Sequence, residues 1–169
     1  MEVTASRRLL VDFSLPLALN AWNVVDDVVM GGVSRSRLEP CPGGAAFTGI
    51  VSLDRGGGFA SARTRPDSWS TAGARAFVLR ARGDGKRYKL TVRTDDGFDG
   101  VQYQAGFTAH RGEWEDVRLP LSTFVPTFRG REVPGAPPLD PARIRAFGLL
   151  ISDRQAGPFR LEIATLAAD

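Results

Sequence analysis

The chain has 169 residues, 43% hydrophobic and 24% charged, with 19 glycines and 11 prolines, the composition of one globular domain with enough chain to bury a core unaided by disulfides or metals. A single cysteine, Cys41, excludes an internal disulfide, and with the single histidine, His110, it excludes Cys/His zinc clusters, CxxC redox motifs and multi-histidine metal centres. The formal charge is only +3, from 22 basic against 19 acidic residues, and all basic residues except Lys86 and Lys89 are arginine, which lifts the isoelectric point to about 9.6 without a surplus fit for nucleic acid. The same bias, with abundant Ala, Gly and Pro, fits a GC-rich bacterial genome.

The N-terminal stretch carries two arginines and a short apolar run broken by Asp12 and Pro16, so neither a leader peptide nor a membrane span is expected, and a cytoplasmic protein is. From there the apolar residues recur with period two and almost nowhere with helical period. Strands are expected near 8–13, 33–38, 45–53 and 58–64. The segment 75–82 puts Phe77, Leu79 and Ala81 on one face and Arg80 and Arg82 on the other; 87–93 opposes Tyr88, Leu90 and Val92 to Lys89, Thr91 and Arg93. Gly83-Asp84-Gly85 between them reads as a hairpin turn, and Asp95 to Gly100 closes a second hairpin onto 102–108, where Tyr103, Ala105 and Phe107 oppose Gln102 and Gln104. A strand near 115–119 follows. The stretch 123–143 holds Pro126, Pro134, Pro137, Pro138 and Pro141 and is expected to be a surface loop within the domain, because the two apolar strands beyond it, Phe147 to Ile151 and Phe159 to Ile163, cannot stand alone. About ten short strands with Gly-rich turns and no crossover helix predict an all-β fold, an antiparallel jelly-roll β-sandwich over 7–167, with a closed barrel as the alternative.

Several runs bring a resemblance. Trp22 to Ser36 (WNVVDDVVMGGVSRS), Gly57 to Arg63, Arg82 to Tyr88, Tyr103 to Phe107, Gly112 to Trp114, Leu119-Pro120, Phe128 to Arg131 and Asp153 to Phe159 occur in the order of the complex I intermediate-associated protein 30 family, which the chain resembles over about 10–165. The family commonly has Asn where this chain has Asp26. The resemblance implies a galactose-binding-like jelly roll and a role without a conserved enzymatic reaction: the mitochondrial member is an assembly factor for respiratory complex I, and a related domain occurs in plastid proteins linked to messenger RNA translation.

The residues add their own candidates. Asp26 and Asp27, before Met30-Gly31-Gly32, could offer oxygen ligands to a structural calcium; the competing reading is that they bind backbone N–H groups in a turn. No other cofactor is expected. Strand parity aims Arg63 at a partly buried face, where a guanidinium needs a carboxylate, Asp27 or Asp153; the pair would be a structural clamp or part of a ligand pocket, and Asp153 with Gln155 is a second oxygen pair. Arg80, Arg82, Lys89, Thr91, Arg93, Gln102 and Gln104 would form one polar sheet face suited to hydroxyls, carboxylates or phosphates, or simply a solvated face. Trp69, Trp114 and Phe98 are the aromatic residues placed to serve as a sugar platform. His110 and Cys41 sit in no nucleophile motif. The expected function is a non-enzymatic binding module, by resemblance an assembly-factor or chaperone-like domain acting on a protein partner such as a membrane respiratory-complex intermediate. A carbohydrate or small polar ligand module and an RNA-binding module are the alternatives.

Overall fold

A computed structural model describes residues 7–97 and 99–169. Among these described residues thirteen strands form two sheets. In chain order they are β1 (Arg8–Asp12), β2 (Trp22–Val24), β3 (Arg35–Cys41), β4 (Gly44–Val51), β5 (Ala60–Thr64), β6 (Ala76–Arg82), β7 (Arg87–Arg93), β8 (Gln102–Thr108), β9 (Glu115–Pro120), β10 (Val125–Phe128), β11 (Arg131–Glu132), β12 (Ala146–Ile151) and β13 (Gly157–Ala168). The first sheet runs β3-β4-β13-β6-β9, with β1 also paired to β13; the second runs β11-β10-β8-β7-β12-β5-β2, and every pairing is antiparallel. The fold is therefore the expected all-β sandwich of jelly-roll type, with two separate sheets and not a closed barrel.

The inward faces are those that the period-two pattern selects. Phe77 and Leu79 of β6, Leu161 and Ile163 of β13, and Tyr88, Leu90 and Val92 of β7 are almost wholly buried, each large side chain contributing about 1.5–3 kcal/mol by leaving water. Aromatic rings bridge the layers edge to face: Phe77 meets Phe147 of β12 at 5.1 Å between centroids, and Tyr88 meets Phe159 of β13 at 6.4 Å.

Two local expectations are corrected. Gly83 to Lys86 is not a hairpin, because β6 and β7 belong to different sheets. The segment is a corner that carries the chain across the sandwich. Gly83 N and Gly85 N donate to the carbonyls of His110 and Ala109, and the Asp84 carboxylate accepts from Lys86 N, Tyr88 Oη and Arg160 N at 2.8–3.0 Å. These bonds reach β13 and the loop after β8, contacts that no local turn signal encodes. The Pro-rich stretch 123–143 is likewise not all loop: β10 pairs with β8 and with the short β11. Pro126 lies within β10 opposite Tyr103, and its carbonyl accepts from Val133 N at 3.0 Å. The 95–100 connection does close the β7–β8 hairpin.

Candidate functional site

The outer face of the second sheet forms an open trough of about 630 Å³. Its floor is built by strand alternation. Tyr88, Leu90 and Val92 point into the core, so Lys89 and Arg93 point out; Gln102 and Gln104 stand beside them on β8, and Arg63 on β5. Register places Arg63 opposite Gly148 of β12, and Gly148 opposite Thr91 of β7. A methyl group at Gly148 would overlap Thr91 Oγ1 and stand 3.4 Å from Arg63 Cγ, so the glycine lets these two side chains close over the middle strand. Loops raise the rim: Gly56 to Phe59, Asp99-Gly100, Arg129-Gly130 and Ser152 to Arg154. A smaller recess of about 190 Å³, reaching Asn23 and Asp96, shares Arg63 and Arg93 with the trough.

The expected polar constellation is thus divided. Lys89, Thr91, Arg93, Gln102 and Gln104 lie together on this face, with Arg63 joining them. Arg80 and Arg82 do not belong to it, because β6 lies in the other sheet and turns them to the opposite outer surface. There Arg80 pairs with Asp116 at 3.2 Å, while Arg82 pairs with Glu162 and lies 4.7 Å above the Trp114 ring.

Most charges in the trough are tied to neighbours. Lys89 Nζ donates to Asp153 Oδ1 at 3.1 Å and Ser152 Oγ at 3.0 Å, Arg129 pairs with Asp99, and Gln104 Nε2 donates to Thr127 Oγ1 at 2.9 Å. Arg93, only 8% exposed, donates to the Gly97 carbonyl at 3.4 Å and to Gln102 Oε1 at 3.3 Å. Burial, and then the positive charge of Arg93, push Arg63 down to about 10, while Asp99 acts in the opposite direction. Asp99 is accordingly the acid whose charge reaches Arg63. The two carboxylates expected beside Arg63 hold other donors: Asp153 holds Lys89, and Asp27 is surrounded by Ser34, Gly58 and Phe59. Gln155 faces away from the trough's charges and staples two strand ends, accepting from Arg87 N at 3.0 Å and donating to the carbonyls of Arg87 and Ser152.

Asp27 lines the trough and opens a short 3-10 turn, Asp27–Met30, with Asp26 the extended residue just before it. Asp27 is 1% exposed and accepts Ser34 N at 2.9 Å, Gly58 N at 2.7 Å, Phe59 N at 3.3 Å and the Ser34 hydroxyl. Burial alone would raise its pKa, but these bonds outweigh it and hold the group below the ordinary carboxylate range. A Cβ at Gly57 would stand 2.6 Å from Asp27 Oδ2, and one at Gly32 would overlap Oδ1; the glycines of both runs make room for this carboxylate. Asp26 Oδ1 accepts Ser36 Oγ at 2.6 Å and Ser61 N at 3.2 Å, yet burial keeps its pKa raised. The pair thus has the geometry of carboxylates tying loops by N–H and O–H donors, and a cation would have to displace those donors.

Of the aromatic candidates, Trp69 packs edge-on against Phe147 at 4.9 Å and Trp114 lies on the other sheet, so neither reaches the trough; Phe98 lies outside the described residues. Sequence reasoning missed Phe59, Asp99, Arg129 and Arg154 as trough residues. One signal emerges only from the backbone: Arg129, Asp153 and Arg154 adopt positive φ of 50–60° without being glycine, a costly conformation that gathers at this rim.

Comparison with known proteins accounts for the runs noted in the sequence. A family model described as "Complex I intermediate-associated protein 30 (CIA30)" matches residues 11–163. The chain is 29% identical to "Complex I intermediate-associated protein 30, mitochondrial" of Drosophila melanogaster, covering 90% of this chain and 59% of that protein. It is also 29% identical to the Mus musculus protein of the same name, covering 86% and 51%. An uncharacterized Schizosaccharomyces pombe protein is 31% identical, covering 87% and 77%. The chain therefore spans little more than half the length of these two animal proteins. These three relatives are eukaryotic, so a bacterial origin has only the arginine bias behind it. Among solved structures, a family 11 carbohydrate-binding module from Clostridium thermocellum, in complex with a mixed-linked tetrasaccharide, superposes with a TM-score of 0.65 at 16% identity, covering 96% of this chain and 94% of that one. At that identity the likeness concerns the fold alone. Among the described residues no helix is long and apolar enough to cross a membrane. Sandwich, ordered motifs and a match over most of the chain converge on one statement: this chain belongs to the complex I intermediate-associated protein 30 family.

Proposed function

We propose that this domain is a non-enzymatic, cytoplasmic binding module that acts on a protein partner, an intermediate in the assembly of a respiratory complex, and that the trough is its working face. The reading needs no cofactor. The observation that carries it is convergence. The runs that mark the family are scattered over more than a hundred residues, yet five of them supply trough residues: Asp27; Gly57, Gly58, Phe59 and Arg63; Gln104; Arg129 and Gly130; Asp153 and Arg154. Residues that serve only the core have no reason to meet on one outer face. The names of the animal relatives, which refer to complex I intermediates, support the choice of partner.

The alternatives have less behind them. A sugar site wants an aromatic platform, and among the described lining residues Phe59 is the only aromatic. An RNA site wants a continuous basic stripe with stacking rings, whereas the sheet assignment puts Arg80 and Arg82 on the opposite surface from Lys89 and Arg93.

The test is affinity capture from the native organism with wild-type protein and the Arg63→Gln/Arg93→Gln variant. Recovery of respiratory-complex subunits by the wild type and their loss with the variant is the expected result. Equal recovery by both would reject the trough as the working face, and recovery of no such subunits would reject the assembly role.

A further inference from the structure

The chemistry at the centre of the trough narrows what it holds. Among the described residues five cationic side chains line it, Arg63, Lys89, Arg93, Arg129 and Arg154, against three carboxylates, Asp27, Asp99 and Asp153. Each carboxylate holds a donor, Asp27 Ser34 and backbone N–H groups, Asp99 Arg129, and Asp153 Lys89, and the charge of Asp99 also reaches Arg63 and Arg93. At the middle, Arg63 and Arg93 adjoin across the floor and line both the trough and the recess behind it.

Arg93 is the more telling of the two. The residue is over nine-tenths buried, and although the charges of Asp95 and Asp99 reach it, among the described residues its two hydrogen bonds end on neutral oxygens at 3.3 and 3.4 Å. Charge-assisted bonds from a guanidinium to an oxyanion are normally about 2.7–2.9 Å long and roughly twice as strong as neutral ones. A buried positive charge held by long bonds to neutral acceptors is a donor set that an incoming oxyanion improves, and one between two guanidiniums also relieves their mutual repulsion. The trough's volume lies within the roughly 300–1,000 Å³ of small-molecule sites.

We propose that the centre of the trough is an anion site for a small organic ligand, whose carboxylate or phosphate seats between Arg63 and Arg93 with Lys89 and Gln102 beside it. This rests on the trough being the working face, and not on the identity of the protein partner. The polar body of the ligand lies along Gln104 and the glycine-lined rim. The phosphate and the carboxylate demand the same donors, so the probes must separate them.

Calorimetric titration with glucose 6-phosphate, glucuronate and glucose compares one sugar body bearing a phosphate, a carboxylate or no charge. At least one charged sugar is expected to bind, more weakly as salt is raised, with glucose weaker by about tenfold or more, the worth of one hydrogen bond to a charged group. The charged sugar that binds identifies the oxyanion. Arg63→Gln/Arg93→Gln is expected to weaken it by about tenfold or more, whereas Arg80→Gln/Arg118→Gln, the same charge change on the opposite sheet, leaves it unchanged. Should the first variant unfold, Lys89→Gln alters a less buried cation of the floor and is expected to weaken binding several-fold. Failure of both charged sugars to bind at millimolar concentration, binding of glucose as tight as theirs, or equal weakening by the two double variants would overturn the proposal. Loss of partner capture in Arg63→Gln/Arg93→Gln while neither charged sugar binds would keep the trough as the working face and overturn the anion.

Discussion

Replacing Asp27 and Asp26 separately should give opposite results, although the two residues are adjacent and chemically identical. Asp27→Ala removes the acceptor for Ser34 N, Gly58 N, Phe59 N and the Ser34 hydroxyl. The hydroxyl keeps the Ser52 carbonyl at 3.2 Å, and Gly58 and Phe59 are only half-buried and regain water. Ser34 N is buried and does not. At about 1–3 kcal/mol for the stranded Ser34 N and about 0.5–1.5 kcal/mol for each of the three bonds whose donors find another acceptor, the loss is about 3–7 kcal/mol, a large share of the roughly 5–15 kcal/mol that holds a domain folded. Asp27→Asn keeps one acceptor but turns an NH₂ group toward a donor whichever way the amide lies, for a loss of about 2 kcal/mol. Asp26→Asn differs in kind. The Ser36 hydroxyl and Ser61 N both bond Oδ1, so an amide oxygen reproduces those two bonds, and although the Ser36 backbone N–H also favours the carboxylate, the substitution removes a charge that burial disfavours more. Its stability at pH 7 should equal or exceed that of the wild type.

The pH dependence follows with opposite signs. The folded pKa of Asp27 lies below its unfolded value, so its contribution is present above the unfolded value and is lost as pH falls through the folded one. The folded pKa of Asp26 is raised, so its contribution is present below the unfolded value and is lost as pH rises through the folded one. Urea unfolding followed by tryptophan fluorescence, at pH 7 and at a series of lower values, reads both. The gap between wild type and Asp27→Asn should shrink on acidification, and so should any advantage of Asp26→Asn. Wild-type stability in Asp27→Asn, or a loss in Asp26→Asn as large as in Asp27→Asn, would refute the account.

Three further outcomes are expected. Gly148→Ala drives a methyl group into Thr91 Oγ1 and to 3.1 Å from the Ala62 carbonyl and should cost about 1–3 kcal/mol, part of it recovered in the double variant with Thr91→Ala; additive losses in a double-mutant cycle would sink the contact. Tyr88→Phe removes the 2.9 Å bond to Asp84 at the inter-sheet corner and should lower stability by about 1 kcal/mol, since Asp84 keeps Lys86 N and Arg160 N; a loss of several kcal/mol would mean that the hydroxyl holds the whole corner. Chelation with EDTA should leave the melting temperature unchanged, and a marked rise on adding calcium that Asp26→Asn abolishes would place a cation at the aspartate pair.

Alternation along each strand is a property of local sequence, and it was enough to fix which side chains face the core. Phe77, Leu79, Tyr88, Leu90, Phe147 and Leu161 are buried as their spacing requires, because a one-residue slip would turn every apolar group of the strand into water. The family was legible too, since its runs are contiguous in sequence. Which sheet a strand joins was not. Arg82 and Lys89 are seven residues apart on strands of matching pattern, and only the crossing at Gly83 to Lys86, secured by Arg160 N from β13 and by carbonyls after β8, puts them on opposite faces of the sandwich. Asp27 tells the same story: a DD pair before GG suggested oxygen ligands, but its donors come from residues 7, 31 and 32 positions away. Period two reports the side of a strand and carries no information about its neighbours. Those are chosen by long-range hydrogen bonds and packing, and the trough with its paired arginines exists only once β5, β12, β7 and β8 have been laid side by side.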